Sequence, residues 1–254
     1  MSLERRFCAL VKYDGTEFFG YQIQPKVRTV QGELEKALQR ITQTKIRTNA
    51  AGRTDAGVHA TGQVVAFEGV WRHEVIDLQR ALNATLAYDI VIANLKTINK
   101  DFHPRFSAVN RSYRYTIINQ DWPAVLERRY AHHIREPLDV AAMVRASQVL
   151  LGAHDFASFG KPPQGQVTVR EVMKADWAAV EQRVTFQITA NAFLYRMVRK
   201  IVGTLLKVGL GQLNEDDILE ILAARDLTKS ASPAPAQGLC LTHVAYPFSL
   251  WDES

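Results

Sequence analysis

What most constrains this chain is the order in which its hydrophobic periodicity changes. Phe7–Val11 is a short apolar run that ends at the turn Asp14-Gly15 and reads as a strand. Val30, Leu34, Leu38 and Ile41 recur at helical spacing with polar residues between them. Lys45–Ala50 and Thr61–Phe67 read as strands flanking the segment AGRTDAGVHA. Val75, Leu78, Leu82 and Leu86 mark a second helix, and Ile90–Ile98 a further strand. The order β-α-β-β-α-β then returns. Ser112–Asn119 reads as a strand, Val140–Leu151 as a helix, and Thr168–Trp177 and Arg183–Ala190 as strands joined near Ala178-Ala179. Leu194, Met197, Val198, Ile201, Val202 and Leu205 define a strongly patterned helix within 191–208. Asn214 caps a short helix through Ala224, and Gly238 precedes a last strand, Leu239–Tyr246.

Two copies of this order predict an α+β fold of two ferredoxin-like units, each an antiparallel sheet with helices on one face. Joining the sheets edge to edge would protect their open edges, giving one larger mixed sheet with a central basic cleft. The expected division is residues 1–105, which carry the AGRTDAGVHA loop, and residues 106–254, which carry a tyrosine-rich strand and an arginine-bearing helix. The repeat is one of element order, without visible identity between the halves. Two long connections, 12–29 and 152–167, interrupt it, and long loops inside a compact domain tend to be functional. The stretch 228–237 (TKSASPAPAQ) reads as a simple connection.

A chain of 254 residues, 47% of them hydrophobic, buries enough surface to fold without disulfides or a structural metal. Cys8 and Cys240 lie in apolar strand-like runs, as reduced thiols of a cytosolic protein would. The opening MSLERRFCALV is charged early, with an apolar run too short for a signal peptide, and no stretch approaches bilayer length. The net charge of +5 is unevenly spread. Residues 5–53 carry ten Lys/Arg against four Asp/Glu, 105–135 carry six against two, and 193–207 carry four against none. Compensating acids gather at Glu215–Glu220 and at Asp252–Glu253. Clustered cations beside a modest net charge point to a basic cleft for a polyanion, in competition with ordinary solvated charged faces.

The most informative segment is Gly52-Arg53-Thr54-Asp55-Ala56-Gly57-Val58-His59. Asp and Gly alone would make it a turn. A turn, however, has no need of an Arg, an Asp and a His within seven residues, and the two glycines let backbone approach a ligand closely. On the helix within 191–208, Arg196 and Lys207 fall opposite the apolar stripe, while Arg199 and Lys200 flank it. From there Arg199 can either snorkel to solvent or reach a carboxylate. In the strand Arg111-Ser112-Tyr113-Arg114-Tyr115, Arg111, Tyr113 and Tyr115 share one face and Ser112 and Arg114 the other. Such a face suits either base stacking or packing beneath a helix. Neither half has the Gly-aromatic signature of an RRM strand. His132-His133 and His154-Asp155 lack metal-ligand spacing, so no metal is expected. There is no phosphate-binding loop, no dinucleotide fingerprint and no G-x-S-x-G nucleophile elbow.

With these residues laid out, the chain resembles the bacterial tRNA pseudouridine synthase A family. The segments KYDGTEFFGYQ, TVQGELEKAL, GRTDAGVHATGQV, FHPRFSAVNRSYRY, GAHDFASF, NAFLYRMVRKIVGTL and GLCLTHVAYP occur in the family's order over nearly the whole chain. Tyr21, where Trp is expected, is a departure away from the chemistry. The resemblance implies isomerisation of uridine to pseudouridine in the anticodon stem-loop of tRNA, without cofactor, metal or energy source, by a cytoplasmic homodimer. It implies Asp55 as the catalytic carboxylate and Arg199 as the guanidinium that keeps it ionised. Tyr113 would stack on uracil, Arg53 would fill the gap left by the extruded base, and Leu239 or Leu241 would wall the pocket. Arg196, Lys200, Arg111 and Arg114 are the cations expected to meet RNA. A non-catalytic tandem RNA-binding protein on the same fold is the alternative, although a binder has no use for Asp55. A nucleoside hydrolase would need a second carboxylate, and the GRTDAGVHA loop holds none.

Overall fold

The computed structural model describes residues 4–162 and 165–251; the acidic pair Asp252–Glu253 lies outside them, as do residues 163 and 164 of the second long connection. The chain divides into two compact units. One comprises the residues up to Val109 together with those from Leu241 onward, and the other Asn110 to Cys240.

In the first unit β1 (Arg5–Tyr13) lies between β3 (His59–Gly69) and β4 (Ile90–Ile98), antiparallel to both. Its central place follows from burial on both faces: Phe7, Cys8, Ala9 and Val11 are at most 1% exposed. The rings of Phe7 and Phe67, cross-strand partners, stack 5.3 Å apart. Helix α1 (Val30–Thr42) starts where the Thr29 hydroxyl accepts the Gly32 N–H and buries Val30, Leu34, Ala37 and Leu38. Helix α2 (Val75–Thr85) buries Leu78 and Leu82. The observed order β-α-β-β-α-β is the expected one.

The strand expected over Lys45–Ala50 shrinks to β2 (Thr48–Ala50), paired with β3. After α1 the chain reverses through Gln43 in the left-handed region. Ile46 then tucks its side chain against Gly69, where a Cβ would come within 2.9 Å of Ile46 Cδ1.

The second unit orders β5 (Asn110–Asn119), β9 (Arg183–Ala190), β8 (Val169–Val180) and β7 (Gly152–Asp155) as antiparallel neighbours, with β6 (His132–Ile134) parallel to β5. The β8–β9 hairpin turns at Glu181-Gln182, with Glu181 at φ 52°, and not at Ala178-Ala179, which pair within the strands. The stacked Trp177 and Phe186 rings, 4.6 Å apart, fix that register. Helices α3 (Val140–Gln148), α4 (Met197–Gly209) and α5 (Glu215–Ala224) complete the unit. A capping box between Asn214 and Asp217 opens α5. Strand β10 (Leu239–Ala245) carries the chain from the second unit's residues into the first's. Short β6 and β7 have no signature in the sequence, because so few residues carry no periodicity. Among the described residues no helix is long and apolar enough to cross a membrane.

Candidate active site

The loop between β2 and β3 is held from both ends and from its side. Ala51 N–H donates to the Val64 carbonyl (2.8 Å), and buried Gln63 donates Nε2 to the Gly52 carbonyl (2.8 Å). Asp55 opens a tight turn closed by Val58 N–H on the Asp55 carbonyl (3.1 Å), with Gly57 at φ 79° in its third position. The Asp55 side chain is half-buried, whereas Arg53 points outward and is exposed.

Residues 13–21, from the first long connection, form a clamp on this loop. The Tyr13 hydroxyl meets Thr54 Oγ1 at 2.8 Å in a buried pair, and Tyr21 N–H donates to the Thr54 carbonyl (3.0 Å). Gly57 N–H donates to the Phe18 carbonyl (3.2 Å), and Gly15 N–H to Nδ1 of buried His59 (2.9 Å). Asp14 Oδ1, held by the Thr16 N–H and hydroxyl, lies 3.2 Å from the same ring nitrogen. The contact leaves no room for side chains. A Cβ on Gly15 would stand 2.1 Å from the Val58 carbonyl oxygen, and one on Gly20 2.7 Å from that of Thr54. The length of 12–29 predicts a functional loop, but not that its glycines and Tyr13 position the Asp55 backbone. The two glycines in an otherwise aromatic loop were the available signal.

Strand β5 places Arg111, Tyr113 and Tyr115 on its buried face and exposes Arg114. Tyr113 is 9% exposed and meets the Phe193 ring edge-on at 5.2 Å. Tyr115 is fully buried and donates its hydroxyl to the Pro235 carbonyl (2.9 Å); burial pushes its ionisation far above the usual phenol range. Arg111 is buried and donates Nη1 to the Asn191 carbonyl (2.9 Å). Leu239 and Leu241 are both buried and, two apart on β10, share a strand face.

Helix α4 begins later than the expected helix, at Met197. Arg196 is its N-cap in the left-handed region, exposed, with its guanidinium carbon 4.9 Å from the Tyr195 ring centroid. Arg199 is half-buried and donates Nε to the Ala234 carbonyl (2.7 Å), while Ala234 N–H donates to the Arg199 carbonyl (2.9 Å). Lys200 donates Nζ to the carbonyls of Leu227 (3.2 Å) and Ala231 (3.1 Å), and desolvation lowers its pKa. Ala231 N–H reaches Thr204 Oγ1 (3.1 Å), and a Cβ on Gly203 would lie 2.3 Å from the Ser232 carbonyl oxygen. The 228–237 stretch is therefore no simple connection. It is pinned residue by residue along α4, and Arg199 is one of the pins.

Of the histidines in these two pairs, His133 Nε2 lies 2.8 Å from the Gln120 carbonyl oxygen and His154 Nε2 2.7 Å from that of Leu151, while His132 holds its Nδ1 buried without a hydrogen-bond partner. Asp55, Arg53 and Leu241 belong to the first unit, and Arg111, Tyr113, Arg114, Arg196, Arg199, Lys200 and Leu239 to the second.

A family model described as tRNA pseudouridine synthase matches residues 9–107 and 146–247. A tRNA pseudouridine synthase A of Thermosipho melanesiensis is 44% identical over 244 residues, covering 95% of this chain and 100% of that protein. One of Chloroflexus aurantiacus is 46% identical over 248 residues, covering 96% and 89%. A third, of Moorella thermoacetica, is 45% identical over 239 residues, covering 92% and 96%. With agreement over nearly the full length of both partners, and a carboxylate-bearing GRTDAGVHA loop clamped in place, the chain belongs to the tRNA pseudouridine synthase family, which isomerises uridine to pseudouridine.

Proposed function

We propose that the substrate is uridine in the anticodon stem-loop of tRNA and that Asp55 is the carboxylate that acts at its C1′. What supports this reading is a half-buried acid on a loop whose backbone is fixed on every side. Held geometry is what a positioned reactive group needs and an ordinary turn does not. The target nucleotide must leave its stack to meet such a loop. The N1–C1′ bond then breaks, the uracil turns, and C5 bonds to C1′. One proton leaves C5 and one is gained at N1, so the overall change is an isomerisation with no redox partner. Asp55 serves as nucleophile, as stabiliser of oxocarbenium charge, or as base at C2′; each role requires it ionised.

An ionised carboxylate in a desolvated pocket needs a compensating cation. The resemblance gives that role to Arg199, uracil stacking to Tyr113, and the pocket wall to Leu239 or Leu241. Exposed Arg53 suits insertion where the base departs, and exposed Arg114 and Arg196 suit phosphate contact. The resemblance also gives RNA contact to Lys200 and Arg111, each of which has a donor engaged on backbone carbonyl oxygen as well. Homodimer formation and a cytoplasmic location come with the same resemblance.

The test is product analysis. Wild-type protein should release tritium from C5-labelled tRNA and yield pseudouridine rather than free uracil on chromatography. Asp55→Asn should abolish release while binding tRNA with near wild-type affinity. Retained turnover would remove Asp55 from the mechanism.

A further inference from the structure

Phe106 is 72% exposed, yet it sits on a loop of the first unit held by side-chain and backbone hydrogen bonds. Below it Phe102 is buried, its ring 5.0 Å from Tyr246 and 6.2 Å from Phe248, and its carbonyl accepts Arg6 Nε (2.7 Å). The Tyr246 hydroxyl donates to the Pro104 carbonyl (2.8 Å). His103 and Ser107 close the loop on each other, Ser107 N–H to the His103 carbonyl (2.9 Å) and His103 N–H to Ser107 Oγ (3.1 Å). The His103 imidazole accepts at Nδ1 from the N–H groups of Arg105 (3.2 Å) and Phe106 (3.3 Å), which fixes its plane. The Phe106 ring lies on that imidazole, centroids 4.4 Å apart and planes 34° from parallel. The Arg105 guanidinium carbon stands 5.4 Å from the Phe106 centroid. Desolvation, with Arg6 and Arg105 nearby, lowers the His103 pKa, so a neutral ring supports the phenyl group at neutral pH.

Leaving a phenyl group in water forgoes the gain of burying it, yet hydrogen bonds within the loop hold this one in place at the surface. The ring rests on histidine, and most of it stays exposed beside the Arg105 guanidinium. That combination suits a flat, anionic-backbone ligand: an unpaired nucleobase stacks on the exposed ring while its phosphate lies near Arg105, whereas Arg6, paired with Glu68 at 2.6 Å, serves to anchor the loop. We propose that Phe106 is a stacking platform for an unpaired base of the tRNA, outside the Asp55 loop. This rests on the reading of the chain as a tRNA-modifying enzyme and adds a contact to it. A protein partner on the same ring is the competing occupant, and the test separates the two.

The experiment measures tRNA affinity of the full chain by filter binding for Phe106→Ala, Phe106→Leu, Phe106→Tyr and, as control, Tyr88→Ala, an aromatic 96% exposed elsewhere in the first unit. Loss of a base stack predicts binding weakened roughly 5- to 100-fold for Phe106→Ala. Phe106→Leu should be nearly as weak, because leucine keeps the bulk without the π face, while Phe106→Tyr should bind like wild type. Phe106→Trp should add a fluorescence signal that tRNA quenches beyond the response of the four native tryptophans. The proposal is overturned by wild-type affinity in Phe106→Ala, by rescue with leucine, by equal loss in Tyr88→Ala, or by unquenched Phe106→Trp. It is also overturned if light scattering shows Phe106→Ala to change oligomeric state, which would assign the ring to a protein contact. If wild-type protein binds tRNA through Phe106 but makes no pseudouridine, the functional reading fails and the platform stands. If it makes pseudouridine and Phe106→Ala binds normally, only the platform fails.

Discussion

At position 20 the backbone adopts φ 89°, and an added Cβ would meet the Thr54 carbonyl oxygen at 2.7 Å and the Asp55 carbonyl carbon at 3.3 Å. Gly20→Ala therefore combines backbone strain of about 1–3 kcal/mol with a push on the residue that carries the reactive carboxylate. We expect kcat to fall by about 100-fold, since displacement on the scale of an ångström carries that cost. Gly211 offers the matched control: it also has positive φ, at 69°, but nothing lies within 4 Å of its would-be Cβ. Gly211→Ala should lower the melting temperature with kcat little changed. Equal kcat losses in the two variants would reduce the effect at Gly20 to strain alone. The choice of glycine was visible in the sequence at both positions; that one of them touches Asp55 was not, because the contact spans more than thirty residues of chain.

Helix α4 shows how an element and a loop come to act as one. Its apolar stripe, with Ile201, Val202 and Leu205 at most 1% exposed, was legible from spacing. Its flanking cations were equally visible, but what they touch was decided by the path of residues 228–237. Lys200 Nζ donates to two carbonyls of that path, and Arg199 exchanges a backbone and a side-chain bond with Ala234. Lys200→Met keeps the stem and removes both charge-assisted bonds, so stability should drop by about 1–3 kcal/mol in denaturant melts. The 228–237 stretch should also become open to limited proteolysis, while Lys207→Met, on an exposed position of the same helix, should do neither. An unchanged melt for Lys200→Met would show that the loop is held without it.

For the whole molecule, cations grouped along 5–53, 105–135 and 193–207 predict that tRNA binding depends steeply on salt. Neutralising six or more phosphates should weaken binding by roughly a thousandfold or more between 50 and 200 mM salt, measured as the slope of log affinity against log salt concentration. A flat response would mean that these cations face solvent. Their clustering is a property of the sequence, as are the alternating strand and helix periods, the capping residue Asn214, and the Arg, Asp and His gathered in one short loop. Local spacing determines these because period and capping depend on neighbours a few residues away. Tertiary structure alone decided the rest: the Tyr13–Thr54 hydroxyl pair, the turn of the β8–β9 hairpin, the pinning of 228–237 and the imidazole beneath Phe106. Even the last of these, only three residues apart, depends on a loop anchored by Tyr246, more than a hundred residues away. Contacts of that range follow from which surfaces must be buried together, and no local pattern encodes them.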